Sequence, residues 1–141
     1  MRKLFLVLTV IVIFGASGMS NCRAEEPDSR YWICVATDND GFRSYFYLPD
    51  IKKNRKLYEA NNNTQYFRIW GWQEEINGKY TKLLVEFDLF SEKFTILDLI
   101  EYAKDGSVIG RGALQNNRWD FLVPETVGWE KFEALKLLIC Y

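Results

Sequence analysis

Apolar and polar side chains alternate most regularly over residues 80–102. In 80–90, Leu83, Val85, Phe87 and Leu89 fall on one face while Leu84, Glu86, Asp88 and Phe90 fall on the other, the period of two of a strand with one core-bound face and one half-wet face. After a Ser91-Glu92-Lys93 turn, residues 94–102 set Thr95, Leu97, Leu99 and Glu101 against Phe94, Ile96, Asp98, Ile100 and Tyr102. Both of these faces are largely apolar and rich in β-branched and aromatic residues, which suits a central strand covered on both sides. The pattern predicts a hairpin at the centre of an antiparallel sheet.

Shorter strand patterns flank it. Residues 31–36 (Tyr31-Trp32-Ile33-Cys34-Val35-Ala36) carry little polarity on either face, Asp38-Asn39-Asp40-Gly41 is a turn signal, and residues 42–48 return until Pro49, which cannot donate to a ladder, ends the strand. The basic stretch Lys52-Lys53-Asn54-Arg55-Lys56, followed by Asn61-Asn62-Asn63, reads as a solvated surface connection, with a polyanion or partner contact as the minority reading. Residues 65–73 form a third strand in which Gly71, between Trp70 and Trp72, suggests a bulge or a close backbone approach. Asn77-Gly78 is the strongest hairpin signal in the chain and joins this strand to the central hairpin, so four strands run as a meander. Residues 108–114, with Gly110 and Gly112, leave room for a bulge or an edge, and residues 118–123 add a last strand stopped by Pro124.

From residue 125 the period changes. Val127, Phe132, Leu135 and Ile139 recur at helical spacing with Glu130, Glu133 and Lys136 opposite, and Thr126 is placed as an N-cap. A single amphipathic helix gains stability only by laying its stripe on a sheet. The expected fold is therefore α+β: an antiparallel meander of about six strands with one C-terminal helix packed across a face.

The first residues change the picture of compartment. Basic Met1-Arg2-Lys3 precedes an apolar run over 4–14 and the small residues Gly15-Ala16-Ser17-Gly18, the layout of a secretory signal peptide too short in its apolar core to span a bilayer. Cleavage after Ala24 fits best, making 1–24 the signal peptide and 25–141 one domain in the periplasm or at the cell surface of a bacterium; lipidation of Cys22 competes, though Asn21 is bulky for that processing. Losing Arg2, Lys3 and Arg23 from 18 basic residues leaves 15 against 19 acidic ones, a mature net charge of −4. No basic patch survives to suggest nucleic acid. The remaining cysteines, Cys34 and Cys140, form an even pair in an exported chain, and a bridge between them would contribute roughly 4 to 5 kcal/mol in the chain-entropy model; two buried free thiols are the alternative.

Candidate chemistry is sparse. The chain has no histidine, which removes the commonest general base and transition-metal ligand and with them a Ser-His-acid triad. Asp38-Asn39-Asp40-Gly41 lacks the further ligands of a calcium loop, and Gly110 with Gly112 lacks a dinucleotide spacing. Glu86 and Asp88 share a strand face about 7 Å apart, a glycosidase-like pairing that half-exposed strands produce routinely. No catalytic residue, metal or cofactor is expected. Aromatic content is instead high, with five tryptophans and eight tyrosines, more than a small sheet under one helix can hide. Tyr45, Tyr47, Tyr66, Trp70 and Trp72 are the candidate binding residues of an exposed aromatic face, with cross-strand pairing for stability as the bland alternative.

The set formed by Trp32, the Asp-Gly turn before a tyrosine-containing strand, Glu86-Phe87-Asp88, Tyr102 with Asp105-Gly106, Trp119, and Val123-Pro124-Glu125-Thr126-Val127-Gly128 before a helix ending in a cysteine resembles the protein E-like surface adhesins. The resemblance implies an antiparallel sheet crossed by a C-terminal helix held by a disulfide, a homodimer, and binding to a protein partner or extracellular-matrix component. That family usually has a cysteine where this chain has Leu89, which leaves Cys34 to serve as the partner of Cys140. A binding protein is thus the first functional expectation, a periplasmic carrier with a pocket between helix and sheet the second, and an enzyme the last.

Overall fold

The computed structural model describes residues 26–112 and 118–141. The expected signal peptide (1–24) and Cys22 lie outside the described residues. Strands β1 (Trp32–Thr37), β2 (Arg43–Tyr47), β3 (Tyr66–Glu74), β4 (Tyr80–Asp88), β5 (Lys93–Tyr102) and β6 (Val108–Gly112) pair in chain order, and the two-residue β7 (Asp120–Phe121) adds to β5 beside β6. Every pairing is antiparallel. Helices α1 (Leu48–Ala60) and α2 (Val127–Cys140) complete the α+β fold, with α2 packed on the sheet as the change of period predicts.

The turns follow from their residues. Asn77 and Gly78 both take positive φ (63° and 76°), the backbone that Asn-Gly favours in tight hairpins, and they set Trp72 opposite Lys82 and Glu74 opposite Tyr80. Asp38 accepts from the N–H groups of Asp40 and Phe42, both at 2.9 Å, so its carboxylate closes its own turn. Thr126 caps α2, its hydroxyl accepting from the Trp129 N–H at 3.3 Å. β3 passes Gly71 without a register shift, close to the Tyr45 carbonyl.

The second helix is a correction to the one-helix expectation. Residues 48–60 form α1 rather than a solvated connection, because Pro49 sits in the first turn, where its fixed φ suits a helix and no N–H is missed, and Asp50 there complements the dipole. Lys52, Lys53, Arg55 and Lys56 face solvent while Ile51 and Tyr58 join the core. The buried Asn54 (4 % exposed) donates to the carbonyls of Asp50 at 2.8 Å and Arg68 at 2.9 Å, and Asp50 accepts from the Trp70 N–H at 2.9 Å. β2 pairs with β3 only over Ser44–Phe46, so these two side chains stand in for the strand that β3 lacks further along.

Both helices lie on one face of the sheet. Ile51 of α1 and Phe132, Ala134, Leu135 and Ile139 of α2 meet Val35, Phe46, Phe67, Ile69, Leu83, Val85 and Phe87 in one core, with Phe46, Phe67, Ile69, Phe132, Leu135 and Ile139 wholly enclosed. The expected disulfide is overturned by the parity of β1. Cys34 and Cys140 are both free thiols: Ile33 and Val35 point to the helices, whereas Cys34 points to the opposite face among Tyr45, Trp72 and Tyr80. Helix α2 does run over β1, but Cys140 packs with the helix-side core, so the sheet itself separates the sulfurs.

Candidate binding face

The other face of the sheet carries the aromatic side chains. Cross-strand pairing of Trp32 with Tyr47, Tyr45 with Trp72, Trp72 with Lys82, and Tyr80 with Tyr102 puts all of these on the side away from the helices. Trp72 stacks on Tyr80 with centroids 4.3 Å apart, and Tyr80 on Tyr102 at 4.7 Å and 6°. Trp32 meets Trp72 edge to face at 5.5 Å and Tyr47 at 5.1 Å. The contacts form one ladder across β1 to β5, with geometries that aromatic quadrupoles favour.

Lys82 lies inside this ladder. Its Nζ stands 4.9 Å from the ring centre of Trp72, 5.0 Å from Tyr102 and 5.9 Å from Trp32, so one ammonium is shared among three rings. Among the described residues it has no carboxylate partner. Asp98, the diagonal neighbour on β5, is engaged by Arg111 at 3.1 Å and by the Leu99 N–H at 2.9 Å. The indole N–H of Trp72 is buried with no hydrogen-bond partner.

Cations form the outer layer of the face. Arg68 bonds Glu86 at 2.8 Å and Arg111 bonds Asp98 at 3.1 Å, yet the guanidinium side chains are 61 % and 69 % exposed against 17 % and 20 % for the carboxylates. Near β1 and β2, Arg43 pairs with Glu74 at 2.8 Å, and the Tyr45 hydroxyl donates to Glu74 at 3.3 Å. Burial, reinforced by the Glu74 charge, pushes the Tyr45 phenol well above its ordinary range. Burial likewise raises the thiols of Cys34 and Cys140, which makes both poor nucleophiles.

All five candidate residues share this face, at different depths. Tyr66 is exposed (49 %) and touches Trp119 at 5.8 Å, and Tyr47 and Trp70 are half-buried. Tyr45 (6 %) and Trp72 (4 %) are buried, forming the floor rather than the contact surface, because Trp32, Tyr80, Lys82 and Tyr102 cover them. Those four covering residues were missed from sequence; the signal for them was the Asn77-Gly78 turn, which fixes the register that brings Lys82 beside Trp72.

The carboxylate pair on β4 is occupied structurally. Glu86 holds Arg68, while Asp88 accepts from Gln65, Phe90 and Ser91. Burial alone would raise the Asp88 carboxyl, but the Ser91 and Phe90 N–H groups and the Gln65 amide outweigh it and hold the group below its ordinary value. A general acid needs the reverse. Among the described residues no group of histidine, cysteine or carboxylate side chains is placed to hold a metal, and no helix is long and apolar enough to cross a membrane. Comparison with protein-family models, with curated proteins and with solved structures finds no match to any of them.

Proposed function

We propose that the chain is an exported binding protein of the adhesin-like kind, presenting the helix-free face of its sheet to a protein partner and performing no catalysis. The observation that carries this reading is the asymmetry of the two faces. Two helices cover one, while the cluster on the other is built from strand side chains alone and carries accessible Tyr47, Tyr66, Trp70, Arg68 and Arg111. Tyrosine, tryptophan and arginine are the residues that dominate the energetics of protein interfaces. The alternative, a carrier with a pocket between helix and sheet, is less favoured because six wholly enclosed side chains fill that layer. The resemblance to protein E-like adhesins, the periplasmic or surface location and the homodimer belong to the same proposal; exposed Val108 (61 %) and Ile109 (53 %) on the β6 edge support self-pairing there.

Photo-crosslinking tests the face. A crosslinking amino acid at Trp70 is expected to capture a discrete protein partner from envelope extract, whereas the same group at Leu57, exposed on α1, captures none. Equal capture at both positions, or capture only at Leu57, refutes the assignment.

A further inference from the structure

We infer that Lys82 and Trp72 form a carboxylate-receiving subsite within the aromatic face, which takes an acidic side chain of the polypeptide partner; this rests on the binding-face reading above. Two side-chain donors meet here that have no acceptor among the described residues. The Trp72 indole N–H is buried and orphaned in a residue only 4 % exposed, and burying such a donor unpaired is destabilising. The Lys82 ammonium, 4.9 Å from the same ring, is held by aromatic rings and, among the described residues, by no carboxylate.

The charges around the pair decide what it accepts. A foreign cation is disfavoured, because the ring cage already holds one ammonium and a second would meet like charge. A carboxylate suits both donors: one oxygen pairs with the ammonium and the other accepts from the indole N–H. A phosphate, which concentrates its charge on one group, is penalised more than a single carboxylate by Glu86 and Asp98, whose carboxylates lie on the same face. Exposed Arg68 and Arg111 flank the subsite and favour an acidic, extended segment over a neutral one. A polypeptide is favoured over a glycan because the surrounding side chains have the composition of a protein-interface hot spot.

Nuclear magnetic resonance of the indole N–H groups tests this, with Trp72→Phe identifying the Trp72 signal. The probe is an end-blocked triglutamate peptide, compared at equal ionic strength with triglutamine, inorganic phosphate and tetramethylammonium chloride. Triglutamate is expected to move the Trp72 signal saturably, with affinity weakened about tenfold or more in Lys82→Met and largely kept in Lys82→Arg. The other four indole signals check that the variants remain folded. An equal response to triglutamine, phosphate or tetramethylammonium, or an unchanged response in Lys82→Met, overturns the subsite. Photo-capture at Trp70 with no triglutamate response removes only this inference; a triglutamate response with no capture at Trp70 removes the broader reading instead.

Discussion

Replacing Asn54 by alanine is the sharpest test of how α1 is held to the sheet. The side chain is buried and its amide donates to two backbone carbonyls, at 2.8 Å within the helix and at 2.9 Å to Arg68 on β3. Each such bond contributes about 1 kcal/mol, and a partly buried Arg68 carbonyl left without a donor costs a further ~1–3 kcal/mol. Alanine is the better helix former and recovers roughly 0.5 kcal/mol. The expected loss is about 2 to 4 kcal/mol, which in a domain of this size lowers Tm by on the order of 10 °C or more. Urea unfolding should show a lower midpoint with an unchanged slope, since the surface exposed on unfolding stays the same. Asn54→Asp should be worse than alanine at neutral pH, because it aims a negative charge at two carbonyl oxygens in place of an N–H donor. Asp50→Ala should speed hydrogen exchange at the Trp70 amide, whose acceptor it removes. A loss below about 0.5 kcal/mol for Asn54→Ala, or an aspartate variant as stable as the parent, would refute the edge-covering role of these side chains.

Three further outcomes are expected. Burial lowers the Lys131 amine from 10.5 to about 8. Below pH 8 both folded and unfolded chains are protonated there, and between pH 8 and 10.5 the folded chain gives up its proton first, so this group makes stability rise with pH across that window. The full gain has a ceiling of about 3 kcal/mol and is smaller in practice because part of the side chain still reaches solvent; Lys131→Met should be more stable than the parent at pH 7 and abolish the rise, as denaturation series at pH 7 and 10 would reveal. Unfolding the unreduced domain 25–141 should expose two titratable thiols, and Cys34→Ser should cost about 1 kcal/mol with or without reductant, not the 4 to 5 kcal/mol of a lost bridge. If the β6 edge pairs two copies, Ile109→Lys should convert a dimer mass in light scattering to a monomer mass, and an unaltered dimer would exclude that edge.

The sheet was legible because its residues obey a period of two and its turns use residues with special backbone freedom. Residues 80–102 pair as the alternation predicts, and Asn77-Gly78 closes the preceding hairpin. The bulge on β5 at Leu97, opposite Leu84/Val85, was not legible, since both faces of that strand are apolar and a one-residue bulge leaves no mark on such a pattern, whereas the bulge at Ile109 of β6, opposite Glu101/Tyr102, falls in the stretch whose glycines leave room for one. Helix α1 escaped notice because a polar residue occupies one of its core positions. With Asn54 buried, the inward stripe reduces to Leu48, Ile51 and Tyr58, and four basic residues dominate the pattern. The missing clue was tertiary: β2 is too short to cover β3, so something polar has to.

The same limit explains the cysteines and the candidate face. Composition and the expected export argue for pairing Cys34 with Cys140, but a strand apolar on both sides conceals which side each residue takes, and one step of parity decides between a bridge and two separated thiols. For the aromatic residues parity was readable, and all five candidates fall on one face. Depth was not, because Trp72 is covered by Lys82 from the next strand and by Tyr80 stacked beside it. A lysine at a half-buried strand position looks like a solvated charge until its cross-strand neighbour is known. Once Lys82 is set opposite Trp72, its position makes physical sense: the rings hold the cation, and the orphaned indole N–H of the paired Trp72 is a second donor close by. On the proposed reading this aromatic floor receives a ligand, and the orphaned Trp72 N–H supports it, since packing for stability alone is better served by an acceptor beside that N–H or by a ring that lacks one.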